Sequence, residues 1–238
     1  MNINIFLLCY NESPLIPHTI AHYKKLLPRS KITIYDNNST DNSVQIATSL
    51  GCKVIPWNSN NIIDEHKYRY IKNNSWKVIS DGWIIMADMD ELLCVTEEDL
   101  VREKTLGNTI ISIRGLDMIG ESNTLSLTDI DLQKITKYVY NKNEDKSLCF
   151  YRNSIGEMNY TIGAHRAYPI GDVKYTQKIY YNKHMSYLGL NYIINKTVTR
   201  YERSEKMRGF GLATHYTNNK ESIIEDYNNK LNTARVLE

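Results

Sequence analysis

Three acidic side chains, Asp88, Asp90 and Glu91, stand at the end of the apolar run Trp83-Ile84-Ile85-Met86-Ala87. Two carboxylates one residue apart offer hard oxygen donors to a divalent cation, and such a cation commonly holds a phosphate-bearing substrate. A turn acid followed by a helix-start acid would explain one or two of them, but three do nothing for packing. Two other polar clusters follow short apolar runs: Asn11-Glu12 after Ile3–Cys9, and Asp36 after Lys31–Tyr35. Three histidines are candidates for a further ligand. His184, in Tyr181-Asn182-Lys183-His184-Met185, is preferred as the third metal ligand, with His215 as its competitor, because an imidazole beside two carboxylates suits Mn²⁺ better than Mg²⁺. His165, in Gly163-Ala164-His165-Arg166, is expected at the diphosphate or acceptor. Neither Gly-x-Gly-x-x-Gly after the first apolar run nor Gly-x-x-x-x-Gly-Lys-[Ser/Thr] occurs, so the two usual backbone cradles for phosphate are missing and a metal is the natural substitute.

Those side chains need elements to hold them. Ile3–Cys9 reads as a first buried strand. Ser13 as N-cap and Pro14 at the first helical position open a helix whose apolar face is Ile16, Ile20, Tyr23 and Leu27, and Pro28 ends it. A second strand stops at Asp36, a helix covers roughly 41–50 with Gly51 as its stop, and a third strand covers 52–56. An amphipathic helix over 64–80, with Tyr68, Ile71, Val78 and Ile79 on one face, leads through Asp81-Gly82 into the strand that ends at Asp88. Alternating strands and helices predict an α/β domain with a mainly parallel sheet and right-handed crossovers. In such a sheet the carboxyl ends of the strands share one edge, where ligands bind. Asp36 there suits a ribose or base, and Asn11 can both donate and accept to a pyrimidine edge; the plain alternatives are an Asx-turn for Asp36 and helix-start decoration for Asn11 and Glu12. Thr96 with Asp99 reads as a capping box, and Thr109–Arg114 as a strand. Residues 115–180 are Tyr-rich and mixed, whereas 191–207 and 219–236 read as polar helices.

Composition narrows the function classes. The chain has 238 residues, 42% hydrophobic, with a formal charge of +2, so no electrostatic case for nucleic acid exists. Four scattered cysteines, without a Cys-x-x-Cys, read as small buried hydrophobes in a reducing compartment. Neither a signal-peptide pattern nor an apolar stretch of the roughly 20 residues needed for a membrane span is present, so a cytoplasmic location is expected.

Taken in order, Cys9-Tyr10-Asn11-Glu12, Asp36-Asn37-Asn38-Ser39-Thr40-Asp41 and Asp88-Met89-Asp90-Glu91 resemble a glycosyltransferase of the GT-A fold, similar to family 2, over roughly residues 1–95. The Asp-x-Asp-Glu form looks most like the small branch in which that motif precedes a later metal-binding His. The resemblance implies a single GT-A domain over 1–238, with a mostly parallel central sheet flanked by helices. Residues 1–95 would form its nucleotide-binding half and 96–238 its acceptor side. It implies an inverting transfer from a nucleotide-sugar donor, UDP-linked by preference, to a glycan or other hydroxyl acceptor, with Mn²⁺ or Mg²⁺ as cofactor. Asn11 and Glu12 would lie near the base, Asp36 at uracil or ribose, and Lys67 and Arg69 toward the nucleotide or diphosphate. Asp88 would serve ribose or metal, Asp90 and His184 the metal, and Glu91 a supporting role. A general base is sought among Asp117, Glu157 and Asp172, while Lys206 and Arg208 are candidates for neutralising phosphate. Three alternatives compete: an Asp-x-Asp phosphohydrolase, disfavoured by Leu92 and by the motif's place after three strands; a nucleotidyltransferase, which should have a Gly-rich basic first loop; and a non-catalytic sugar-binding protein of the same fold.

Overall fold

The structure is a computed structural model that describes residues 1–121 and 131–237. Its elements are, in order, β1 (Ile3–Cys9), α1 (Ile16–Leu26), β2 (Lys31–Asp36), α2 (Ser43–Ser49), β3 (Lys53–Pro56), α3 (Glu65–Asn74), β4 (Trp83–Asp88), β5 (Glu91–Leu93), α4 (Glu97–Thr105), β6 (Ile110–Ile119), β7 (Lys137–Tyr140), β8 (Cys149–Tyr151), β9 (Ile155–Glu157), β10 (Ile170–Gly171), β11 (Tyr175–Tyr187), α5 (Leu190–Arg203), α6 (Glu205–Gly209), α7 (Lys220–Thr233) and β12 (Arg235–Val236). The main sheet runs β12-β7-β6-β8-β4-β1-β2-β3, and β11 joins it by pairing with β6 and β5. Strands β1 to β4 are mutually parallel; β8 is antiparallel to both β4 and β6, so β6 and its parallel partner β11 share the direction of β4. This is the mostly parallel α/β arrangement that the alternating pattern predicts.

Strands β1 and β4 are buried on both faces, which is why they read as near-continuous apolar runs, broken only by Asn4 in β1 and ending at Asp88 in β4. One face of β1, Ile3, Ile5, Leu7 and Cys9, packs under α1 through Leu15, Ile16, Ile20, Tyr23 and Leu27; Trp83, Ile85 and Ala87 of β4 join that cluster. The opposite face carries Phe6, Ile84 and Met86 onto Trp76, Phe150, Met158 and Tyr160. A third, smaller cluster, Ile119, Ile193, Ile223 and Tyr227, fastens α5 and α7 to the end of β6. All four cysteines are free, three of them buried. None of the helices is long and apolar enough to cross a membrane, among the described residues.

Several boundaries differ from the sequence reading. Helix α1 starts at Ile16 rather than Pro14, because the Glu12 carbonyl accepts from Leu15 and Ile16 and the Ser13 N–H donates to the Asp41 carboxylate. The helix expected over 64–80 ends at Asn74 and tightens into a 3₁₀ turn; Val78, placed on its apolar face, is 83% exposed. The polar helix expected over 191–207 breaks at Ser204 into α5 and α6, and the one over 219–236 stops at Thr233, before β12. Gly115 lets the 142–146 turn press on β6, since a Cβ there would collide with the Glu144 backbone.

The capping box of α4 is present as expected: Asp99 N–H donates to Thr96 Oγ1, and Thr96 N–H donates to Asp99 Oδ2, both at 3.1 Å. Asp99 also accepts from Arg102 and Lys178. Burial opposes its ionisation, yet the Lys178, Thr96 and Arg102 bonds win and pull its carboxyl down to about 2. A depressed carboxyl contributes stability above its unfolded pKa of about 3.9 and loses it as pH falls toward the folded value. Asp99→Ala should therefore cost about 1 kcal/mol at pH 7. Urea midpoints of the two proteins should draw together below about pH 4; a gap that stays constant to pH 3 would show that the carboxylate charge contributes nothing.

Candidate active site at the carboxyl edge of the sheet

Strand register places the acidic residues at one level. Cys9 pairs with Asp36 and Leu8 with Asp88, so the chain leaves β1, β2 and β4 side by side. The loops after β1 and β2 then interlock. Asn11, with φ of 51°, donates its N–H to Ser39 Oγ, and its Oδ1 accepts from Thr40 N–H at 2.8 Å. Asp36 is buried and accepts from Ser39 twice, from N–H at 3.0 Å and from Oγ at 2.6 Å. Asp36 thus builds its own loop, as the local alternative has it, though by bonding Ser39 three residues on rather than through an Asx-turn, and each oxygen keeps one further acceptor position.

Beyond β4 the chain turns tightly. The Asp88 N–H donates to Glu91 Oε2 at 2.7 Å, and Lys146 Nζ lies 2.6 Å from Glu91 Oε1 and 2.8 Å from Glu144 Oε2. Glu91 is fully buried; burial pushes its carboxyl up to about 7 against the pull of Lys146. Lys146 is also buried, but Glu91, Glu144 and Asp88 together hold its ammonium well above the usual range. Glu91 therefore braces the turn between β4 and β5.

Asp90 sits on the outer side of that turn. Lys196 Nζ approaches its Oδ2 at 2.6 Å, with Arg200 Nη2 and His184 Nε2 each at 3.5 Å. Burial would raise this carboxyl, but Lys196, His184 and Arg200 hold it well below the usual range. His184 faces Asp117 in the parallel β6–β11 register, and its Nδ1 lies 2.8 Å from Asp117 Oδ1. Burial alone would lower the imidazole; the two carboxylates instead lift it to about 10. Lys196 and Arg200, four residues apart on α5, reach the site because this helix crosses the carboxyl edge. Its far end is held by Arg203, whose guanidinium stacks 3.2 Å from the Tyr10 ring centroid and whose carbonyl accepts from Ile63.

The structure therefore joins Asp90 and His184 from the expected metal set but turns Asp88 elsewhere, with its Oδ2 2.8 Å from buried Lys72 Nζ. Among the described residues, no group of three His, Cys, Asp or Glu is arranged to hold a metal. The donor chemistry of Asp90 and His184 nevertheless fits a divalent ion, with carboxylate oxygen and imidazole nitrogen facing each other across a gap now bridged by charge pairing. Glu12 stands near them: burial raises its carboxyl, and Lys196 opposes that rise.

Other candidates fall away from this cluster. Asp117 is at the edge but faces the back of His184; its oxygens also take Lys230 and Asn141, so it positions that ring and is not free to serve as a base. Glu157 pairs with Lys77 at 2.7 Å, where the chain has returned to the start of β4. The Asp172 carbonyl accepts from Thr109, beside the start of β6, and its carboxylate faces Lys174. Both acids thus lie toward the amino edge, apart from the Asp90–His184 cluster. Lys67 spends its ammonium on the Asn58 carbonyl and Arg69 is on the exposed face of α3, so the ordinary helix-face reading fits both. His165 lies at the rim, exposed, with Nδ1 2.9 Å from the Asn143 carbonyl. His215 stacks on Tyr216 and Arg208 is bound to the Tyr201 carbonyl. Lys72, Lys146, Lys196 and Arg200 were absent from the sequence reading; only the i, i+4 spacing of Lys196 and Arg200 marked a shared helix face.

Residues 4–64 match the profile of Glycosyl transferase family 2. That stretch includes Asn11 and the Asp36–Asp41 loop, but ends before Asp88. Protein RfbJ of Shigella flexneri is 40% identical over 53 residues, spanning 22% of this chain and 41% of RfbJ. Among solved structures, S. aureus TarS 1-349 in complex with UDP aligns over 97% of this chain and 71% of its own, at 13% identity and a TM-score of 0.47. Glucosyl-3-phosphoglycerate synthase from Mycobacterium tuberculosis, in complex with Mn²⁺, UDP and glucosyl-3-phosphoglycerate, aligns over 48% and 44% at 17% identity, with a TM-score of 0.34. The chain spans less than half the length of the curated relative it matches. Residues 4–64 are thus similar to glycosyl transferase family 2, and they form the first strands and helices of an α/β chain with a mostly parallel central sheet.

Proposed function

We propose that the carboxyl edge binds a nucleoside diphosphate sugar, UDP-linked by preference, and transfers its sugar to a hydroxyl acceptor with inversion at the anomeric carbon. The observation that carries this reading is the convergence of Asp90, His184, Lys196 and Arg200 beside the interlocked loops of the family segment. The base and ribose would lie over Asn11 and Asp36, whose spare acceptor positions suit a ribose hydroxyl or a uracil N–H. The diphosphate would lie toward Asp90, where cations are already gathered. Asp90 and His184 would hold a Mn²⁺ or Mg²⁺ ion, which when bound neutralises the departing diphosphate. Lys196 and Arg200 add fixed positive charge at the same place, in a partly water-excluded cleft where it acts strongly. Asp117 and Lys230 set the tilt of His184, and Lys146 fixes the turn that presents Asp90. The Asp-x-Asp motif follows the fourth strand, not the first, which supports this reading over the phosphohydrolase.

The test is a calorimetric titration of the chain with UDP, GDP and inorganic phosphate, each with and without Mn²⁺. UDP should bind, more tightly with the metal than without, and inorganic phosphate should not compete. Asp36→Ala, by freeing Ser39 and so loosening the loop that holds Asn11, should weaken UDP about tenfold, the loss of roughly one charge-assisted hydrogen bond. Equal, weak binding of all three anions would refute the nucleotide site.

A further inference from the structure

Lys196 occupies the side of Asp90 that a cation would need. Its Nζ is 2.6 Å from Asp90 Oδ2, and its side chain is only 9% exposed. Its neighbour Arg200 approaches the same oxygen, and the ring of Tyr192, four residues earlier on α5, lies 5.4 Å from Nζ. The ammonium is thus seated in a built pocket rather than swinging in solvent. A buried carboxylate keeps one cation close because leaving the charge unpaired is costly. Arg200 and His184 stand farther off, each 3.5 Å from that oxygen, whereas a divalent ion bound directly to it would press against the ammonium at 2.6 Å and be repelled by it.

From this geometry we infer that Lys196 is a resident counter-cation for Asp90, and that a divalent ion binds there only by displacing its ammonium. The inference rests on the nucleotide-sugar reading of the edge. It assigns to α5 a gating role that the Asp-x-Asp motif does not contain. With no nucleotide present, the metal must break the Lys196–Asp90 pair and leave an ammonium without its partner. With a nucleoside diphosphate present, the released ammonium has phosphate oxygens beside it. Metal and nucleotide therefore bind with strong positive coupling, and the free chain holds the metal weakly. By linkage the coupling is reciprocal: the metal tightens the nucleotide by the same factor. The displacement forms carboxylate–metal and imidazole–metal contacts, breaks the ammonium–carboxylate contact and releases the Nε2 proton of His184 to solvent, with no electron exchanged.

The test measures Mn²⁺ binding directly, by electron paramagnetic resonance of free Mn²⁺, in the wild-type chain and in Lys196→Met, each with and without UDP. Groups around a metal ligand shift affinity by about 10–100-fold. Lys196→Met should bind Mn²⁺ alone at least about tenfold more tightly than wild type, and the tightening that UDP brings should shrink. Adding Asp90→Asn to Lys196→Met should remove the gained site. Mn²⁺ binding to Lys196→Met that is equal to or weaker than wild type overturns the inference, as does binding to neither protein. UDP binding retained in that last case would leave the nucleotide-site reading standing. A second measurement uses unaltered protein: the side-chain ammonium resonance of Lys196, followed by NMR. It should move when Mg²⁺ is added with UDP, and a resonance that stays fixed while Mg²⁺ and UDP are bound also overturns it.

Discussion

Replacing Asp90 with Asn should abolish metal-dependent UDP binding and lower sugar transfer by at least about 100-fold, the usual scale for losing one electrostatic stabiliser of a developing charge. The side chain keeps its shape but loses the charge on which three cations converge. Lys196, His184 and Arg200 all lie within 3.5 Å of Asp90 Oδ2. With that oxygen neutral, a nearly buried ammonium, a part-exposed guanidinium and an imidazolium face each other uncompensated. Removing one partner of a buried ion pair costs about 3–5 kcal/mol. The variant should therefore show two separable effects. Guanidinium denaturation will register the stability loss. Titration with UDP and Mn²⁺ at a temperature where the variant is folded will register the loss of metal dependence. Wild-type metal dependence in folded Asp90→Asn would remove Asp90 from the site.

The second large effect is expected at Lys146. This ammonium, 5% exposed, is the hub between Glu91 at 2.6 Å and Glu144 at 2.8 Å, with Asp88 at 4.0 Å. Lys146→Met fits the volume but leaves two buried carboxylates without their cation, again about 3–5 kcal/mol. Because Glu91 Oε2 anchors the Asp88 backbone, a disturbed Glu91 should also shift the turn that presents Asp90. Both the denaturation midpoint and UDP affinity should fall. Glu91→Gln in the Lys146→Met background should restore part of the stability, since it removes one of the stranded charges. Unchanged midpoints in Lys146→Met would mean that the hub is structurally idle.

How far the sequence disclosed this site depends on the kind of burial involved. Strands β1 and β4 were plain because both their faces are covered, so Trp83–Ala87 carries no polar residue and Ile3–Cys9 only Asn4. Their register, parallel with β2 between Asp36 and Cys9, follows from short crossovers and put the three acidic ends on one edge. The role of Asp36 was less legible, since an Asx-turn and a ribose contact demand the same residue. The second half was opaque for a physical reason. Strand β11 alternates irregularly between exposed and buried positions over 13 residues, so no period-two signal survives. His184 and Asp117 are 67 residues apart and meet only through strand register. Lys146 is one lysine in a polar turn, and nothing local tells a solvated ammonium from a buried hub. Lys196 and Arg200 lie on one helix face by spacing, but that α5 crosses the carboxyl edge is set by tertiary packing, through Ile193 and the Tyr10–Arg203 stack.

A crystal structure of this chain with UDP and Mn²⁺ would test the nucleotide site most directly. The nucleotide-sugar reading of the edge places uracil and ribose over the Asn11 and Asp36 loops, the diphosphate between Asp90 and α5, the ion on Asp90 and His184, and Lys196 Nζ withdrawn from Asp90. A nucleotide bound away from the carboxyl edge, or a diphosphate at that edge that touches none of Asp90, His184, Lys196 and Arg200, would contradict it.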